Sequence, residues 1–79
     1  MILIAQDTII NMDDISTVYV SYKKSYYKIV ARLKDGTEWT LLNSKMLAEP
    51  IVDPNKLLCD IANAYSQKME VYNLSPREL

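Results

Sequence analysis

Gly36 is the chain's only glycine, and it separates two stretches in which apolar residues recur at every second position. That alternation is the pattern of a half-buried strand, and a glycine between two such runs marks the turn that joins them. The turn Leu33-Lys34-Asp35-Gly36-Thr37 admits two registers. A two-residue Asp-Gly loop pairs Lys34 with Thr37 and puts Leu33 on the face of Glu38. A three-residue loop with Gly36 in the left-handed conformation pairs Leu33 with Thr37 instead. Ala31 then faces Trp39 and Ile29 faces Leu41. Only this register gathers Tyr27, Ile29, Ala31, Leu33, Trp39 and Leu41 on one face. A slip of one residue would send every side chain to the other side, so the apolar pattern selects the three-residue loop.

The preceding hairpin follows the same logic. A four-residue loop, Lys23-Lys24-Ser25-Tyr26, pairs Tyr22 with Tyr27, Val20 with Ile29 and Val18 with Ala31, all inward. The outer face then carries Thr17, Tyr19, Lys28, Val30, Arg32, Glu38 and Thr40, with Arg32 opposite Glu38 as a cross-strand ion pair. Residues 2–5 and 8–11 read as two further short strands, joined by a turn at Gln6-Asp7, and Met12-Asp13-Asp14 reads as a turn. After Leu42 the alternation stops, and residues 43–53, with Pro50, read as a connection. Asp53-Pro54 supplies an N-cap and a first-turn proline, which predicts a helix over 54–68. Its apolar stripe is Leu57, Leu58, Ile61, Tyr65 and Met69, expected to cover the inner sheet face around Trp39. Residues 69–74 read as a last edge strand. Ser75-Pro76-Arg77-Glu78 resembles a capping box in a tail expected to fray without a partner.

These elements predict an α+β fold: a curved antiparallel meander of about five strands packed on one C-terminal helix. Seventy-nine residues make one domain, here 1–74 with a tail at 75–79. Domains of this size bury only about 60% of their unfolded surface and are often reinforced by disulfides, metals or self-association. Cys59 is the only cysteine and histidine is absent, which excludes an internal disulfide, a zinc site and any histidine-dependent triad. Self-association remains. No run reaches the about 20 apolar residues of a membrane span, and a lone reduced cysteine without a signal segment points to the cytoplasm.

Candidate chemistry is sparse. Asp7, Asp13 and Asp14 lack the glycine and bidentate glutamate of a hard-cation loop and read as turn residues. Asp35 and Glu38 sit near an exposed hairpin tip, which offers no cleft to a general acid. Cys59, one position off the helix stripe, reads as a buried or half-buried structural thiol, and Trp39 reads as core. With its one glycine in a turn, the chain has no phosphate loop. No catalytic, cofactor or metal residue is assigned, and no enzyme is expected.

Residues 15–34 hold no acid but five cations, Lys23, Lys24, Lys28, Arg32 and Lys34, with Tyr19, Tyr22, Tyr26 and Tyr27 among them. Interleaved cations and aromatics suit phosphates and bases. Tyr22 and Tyr27 are assigned to the core, however, and Arg32 to an ion pair. Three lysines make a thin footprint in a chain of net charge −1. Nucleic acid or an anionic surface, bound through Lys23, Lys24, Lys28 and neighbouring tyrosines, is therefore the second reading. The first is a non-enzymatic binding or assembly module that forms homo-oligomers through a sheet face or edge. Its expected partner surface is Tyr19, Lys28 and Val30, with Lys23, Lys24 and Tyr26 beside them.

Ile10-Asn11-Met12-Asp13-Asp14-Ile15, followed by an aromatic strand, Leu33-Lys34-Asp35-Gly36 and one helix, resembles a class of short uncharacterised bacterial and phage proteins. That likeness implies a fold and a bacterial or phage source, with no activity. The aspartate-initiated strand and Lys-Asp-Gly hairpin are also similar to the first half of LytTR DNA-binding domains. Those domains end in a basic, histidine-containing segment, where this chain has residues 69–74 with neither feature. A sheet closed by a C-terminal helix is similar, at the level of fold, to pleckstrin-homology-like domains, which implies no function.

Overall fold

Two strands of seven and eight residues form the frame: β3 (Ile15–Tyr22) and β4 (Tyr27–Leu33). The computed structural model describes residues 1–6, 8–46 and 53–74, without the side chain of Met46. Before these strands come β1 (Ile2–Ile4) and β2 (Ile9–Asn11), and after them β5 (Glu38–Asn43), helix α1 (Pro54–Ser66) and β6 (Val71–Asn73). The molecule is a small α+β fold with its strands in two sheets. One sheet has the order β3-β4-β5 and is antiparallel throughout; the other has the order β2-β1-β6. Asp7, residues 47–52 of the expected connection and the capping-box tail lie outside the described residues.

Both hairpin registers match the apolar pattern. Tyr22 pairs with Tyr27, Val20 with Ile29 and Val18 with Ala31. The Leu33 amide donates to the Thr37 carbonyl at 2.7 Å, and Ala31 pairs with Trp39 and Arg32 with Glu38. Gly36 takes φ +93°, the left-handed geometry that this loop requires.

The single meander is corrected to two sheets. β1 pairs antiparallel with β2 but parallel with β6, which α1 returns to the far side of β1. The hydrophobic period sets which face of a strand is buried, not which strand lies beside it. Three-residue strands carry too little pattern to choose a partner. Between β2 and β3, Met12–Asp14 forms a 3-10 turn in which Asn11 Oδ1, rather than an aspartate, accepts the Asp13 amide at 3.0 Å.

Ile29 faces Leu42 rather than Leu41, because a bulge interrupts the β4–β5 ladder between Ile29 and Val30. Strict alternation would have buried one of the adjacent leucines and exposed the other. The extra residue lets both become fully buried. They join Leu3, Ile29, Ala31 and Ile61 in the core. A second irregularity falls between Ile15 and Thr17, where the Ser16 hydroxyl donates to the Arg32 carbonyl at 3.2 Å.

Several burial expectations reverse. Trp39 is 46% exposed and Tyr22 65%, whereas Val30 is only 7% exposed. Position within the sheet decides each case. Trp39 stands near the turn end of β5 and lines a small cleft with Ile9, Ile10 and Leu33, against β2 rather than α1. Tyr22 ends β3 with Tyr27 as its cross-strand neighbour. Val30 lies at the centre of the middle strand, between Tyr19 and Thr40, which cover it from both sides. On α1 the buried residues are Ile61 and Ala64, Leu57 and Leu58 are half-buried, and Tyr65 and Met69 are exposed. Cys59 is exposed rather than buried.

Helix α1 starts as its sequence predicts: the Asp53 carboxylate accepts the Asn55 amide at 3.0 Å, and Pro54 opens the first turn. It stops two residues before Lys68, which takes φ +60°. The Lys68 amide donates to Tyr65 and the Met69 amide to Ala64, a complete Schellman closure with lysine where glycine is favoured. Left-handed backbone costs an L-residue about 1–2 kcal/mol. Lys68→Gly is therefore expected to raise stability by about 1 kcal/mol in urea unfolding. Gly36→Ala is expected to lower it by a similar ~1 kcal/mol through φ alone, since a Cβ there meets nothing within 4 Å.

Candidate interaction surfaces

The outer face of β3-β4-β5 centres on a polar cluster rather than an apolar strip. Glu38 Oε2 accepts from Arg32 Nη2 at 2.8 Å, from Arg32 Nε at 3.0 Å and from the Tyr19 hydroxyl at 3.1 Å. The Arg32 guanidinium carbon also stands 5.7 Å from the centre of the Tyr19 ring. The hydrogen bonds from Arg32 and then Tyr19 hold the Glu38 carboxyl below its ordinary range, and the same carboxylate raises the Arg32 value. Three strands each contribute one member, so the cluster ties the outer face together. It also fixes Tyr19 beside Val30. Of the expected partner surface, Tyr19 and Lys28 are half-buried and Val30 is buried.

The tip of the β3–β4 hairpin keeps Lys23 and Lys24 exposed. One face of Tyr26 is covered, because Lys45 Nζ lies 4.6 Å from its ring centre. Lys45 was missed in the sequence because it falls after the alternation ends, in a stretch with no periodic signal. It is brought back by the Tyr27 amide, which donates to the Ser44 hydroxyl at 2.9 Å. At the other tip the Thr37 amide donates to Asp35 Oδ1 at 2.9 Å, and the backbone and side-chain bonds from Thr37 lower the Asp35 value. Burial, then Asp53, raises the value of the Tyr27 hydroxyl, which has no hydrogen-bond partner among the described residues.

The remaining surface is the edge of β3. The Tyr27 and Leu33 amides point toward the β5 side, and the Lys23 amide bonds the Tyr26 carbonyl. Antiparallel pairing then leaves Val18, Val20 and Tyr22 with their N–H and C=O groups directed away from β4. Among the described residues no strand lies on that side. The opposite edge of the same sheet is bonded at its C-terminal end. There the Gln6 amide donates to the Leu41 carbonyl at 3.1 Å, and Gln6 Oε1 accepts the Asn43 amide at 2.9 Å.

Beside the open edge runs a groove of about 490 Å³ between β3 and α1, lined mainly by Met12, Ile15, Val18, Leu58, Ile61 and Tyr65. Its walls are largely apolar. Among the described residues no group of three or more Cys, Asp or Glu could hold a metal ion, and no helix is long and apolar enough to cross a membrane. Compared with known protein families, curated proteins and solved structures, the chain matches none.

The Tyr19–Arg32–Glu38 cluster predicts an order of titration midpoints. By carboxyl NMR, Glu38 should titrate below the usual glutamate range. Arg32→Gln should move it up further than Tyr19→Phe does, because the arginine bonds are the larger cause. A lowered carboxyl value means that the stabilisation is present above the ordinary glutamate range. It is lost as pH falls through the depressed value. The cluster should therefore hold at neutral pH and loosen only in acid.

Proposed function

We propose that the protein is a non-enzymatic binding and assembly module that takes its partner by strand addition along the open edge of β3. One observation carries this reading: an eight-residue strand without a single charge, glycine or proline has no strand along its outer edge among the described residues. Edge strands in stable monomers are usually kept short, covered, or blunted by charge and proline. Here the opposite edge is bonded at Leu41 and Asn43, while no strand lies beside β3 among the described residues. Strand addition gives such an edge main-chain hydrogen bonds, while side-chain pockets supply selectivity. The neighbouring apolar groove is such a pocket.

The nucleic-acid reading has less behind it. Arg32 is neutralised by Glu38, and Tyr26 is engaged by Lys45, so Lys23 and Lys24 stand largely alone at the tip. Affinity for nucleic acid that fell steeply with salt and vanished in a Lys23, Lys24 and Lys28 alanine triple variant would reinstate it.

Amide hydrogen exchange by NMR tests the edge. In dilute protein the Val18, Val20 and Tyr22 amides should exchange rapidly, while Tyr19 and Ser21, bonded to β4, are protected. When assembly or a partner is present, the first set should slow by up to about tenfold per added bond of ~0.5–1.5 kcal/mol. If those three amides stay unprotected while protection appears around Lys28 and Arg32, the partner surface is the sheet face and strand addition is wrong.

A further inference from the structure

Tyr22 is 65% exposed although its side chain points to the same face as Val18 and Val20, the face that packs on the core. The groove between β3 and α1 lies on that face as well, with Val18 in its wall. We infer that the occupant of the open edge is a second copy of this chain, with β3 antiparallel to β3 about a two-fold axis and Val20 opposite Val20. This rests on the strand-addition reading and names its partner and register.

The register follows from the backbone. The outward-facing residues are Val18, Val20 and Tyr22, and outward-facing residues must meet one another in the narrow pairs of an antiparallel ladder. Centring on Val20 engages all three on each chain, so that Val18 meets Tyr22 of the second copy. Directly opposed residues share a face. Tyr22 of the second copy is thereby set over the groove wall at Val18, and the two-fold axis repeats the contact in the other direction. Each protomer offers one exposed ring and one apolar groove, complementary by position. A buried tyrosine removes ~150–250 Å² from water. Two rings with the walls they cover provide a large share of the ~1,200 Å² that a specific interface needs.

Charge supports the same register. β3 carries none, and the ladder extended outward sets Lys23 opposite Thr17 and Lys24 opposite Ser16, so no two lysines face each other. Centring one residue pair further toward the tip would bring the four tip lysines closer together and leave Val18 unpaired. The joined sheet would have six strands, with β5 at both ends.

Sedimentation of the full chain tests this with two substitutions at exposed positions. Tyr22→Ala removes the ring, and Ala62→Trp fills the groove from the helix side without altering a core residue. Wild-type protein is expected at twice the chain mass. Each variant should raise the dimer dissociation constant more than about tenfold, as loss of a central aromatic anchor does. An equimolar mixture should recover part of the dimer, because one intact ring then meets one open groove. A wild-type dimer indifferent to both substitutions would overturn the ring-in-groove register. A wild-type monomer whose Val18, Val20 and Tyr22 amides become protected by some other protein would overturn the second copy and leave strand addition standing. Edge amides unprotected in every assembled state would remove both.

Discussion

Gln6 joins the two sheets twice, through its amide to the Leu41 carbonyl and through its side-chain oxygen from the Asn43 amide. Both bonds depend on the bulge at Leu41, since the extra residue resets which backbone groups of β5 point outward. With the bulge in place, Leu41 and Leu42 are both buried. The same outward turn offers the groups that Gln6 needs. Core packing and sheet joining are one event. The short β1–β2 hairpin, too small to be stable by itself, is anchored there, and it gives β6 a strand to pair with.

This joint also settles the chemistry of the two edges. Gln6 occupies the outward groups of Leu41 and Asn43 on the β5 side, whereas no strand lies beside β3 among the described residues. On the outer face, the Tyr19–Arg32–Glu38 cluster spans all three strands and holds Tyr19 at the flank of Val30. The centre of that face is polar, with Tyr19, Arg32 and Glu38 bonded to one another. A half-buried tyrosine whose hydroxyl is already bonded, above a covered valine, leaves little apolar area for a partner to bury. The β3 edge has backbone groups directed away from β4 and an apolar groove beside it, whereas the centre of the face is a bonded polar cluster.

The sequence made the hairpin registers legible because Leu33, Ala31, Ile29 and Tyr27 alternate without a break, and one glycine stands where a left-handed residue is required. The helix start was equally plain from Asp53-Pro54. The partition into two sheets was not legible, since strands of three residues carry no signal of their neighbour and a parallel pairing between β1 and β6 spans almost the whole chain. Burial failed where inward direction was taken for coverage. Tyr22 and Trp39 point to the core face but stand at the rims of the sheet, and Val30 points outward from its centre. The sequence leaves sheet face and sheet edge open; the uncharged run Ile15–Tyr22 becomes informative only once the structure places β3 at an edge. The helix residues that wall the groove were read as one stripe over Trp39. Their place beside β3 depends on tertiary packing that no local pattern encodes.

An open edge invites indefinite growth unless something stops it, and here both ends of the proposed pairing are limited. Along the strand, the Ser16 irregularity at one end and Lys23 and Lys24 at the other confine clean pairing to the residues between. Across the sheet, joining β3 to β3 would use the open β3 edge of each chain and leave β5 edges bonded to Gln6 at Leu41 and Asn43. An isologous contact that exhausts its own surface closes after two copies, whereas a heterologous one would propagate. The absence of charge from β3, a hazard in a monomer, is compatible with a two-fold pair because such a contact would use the same edge on both copies. In the proposed pairing Lys23 and Lys24, set at the tip of the hairpin, would oppose a slide of the register from Val20 toward the tip.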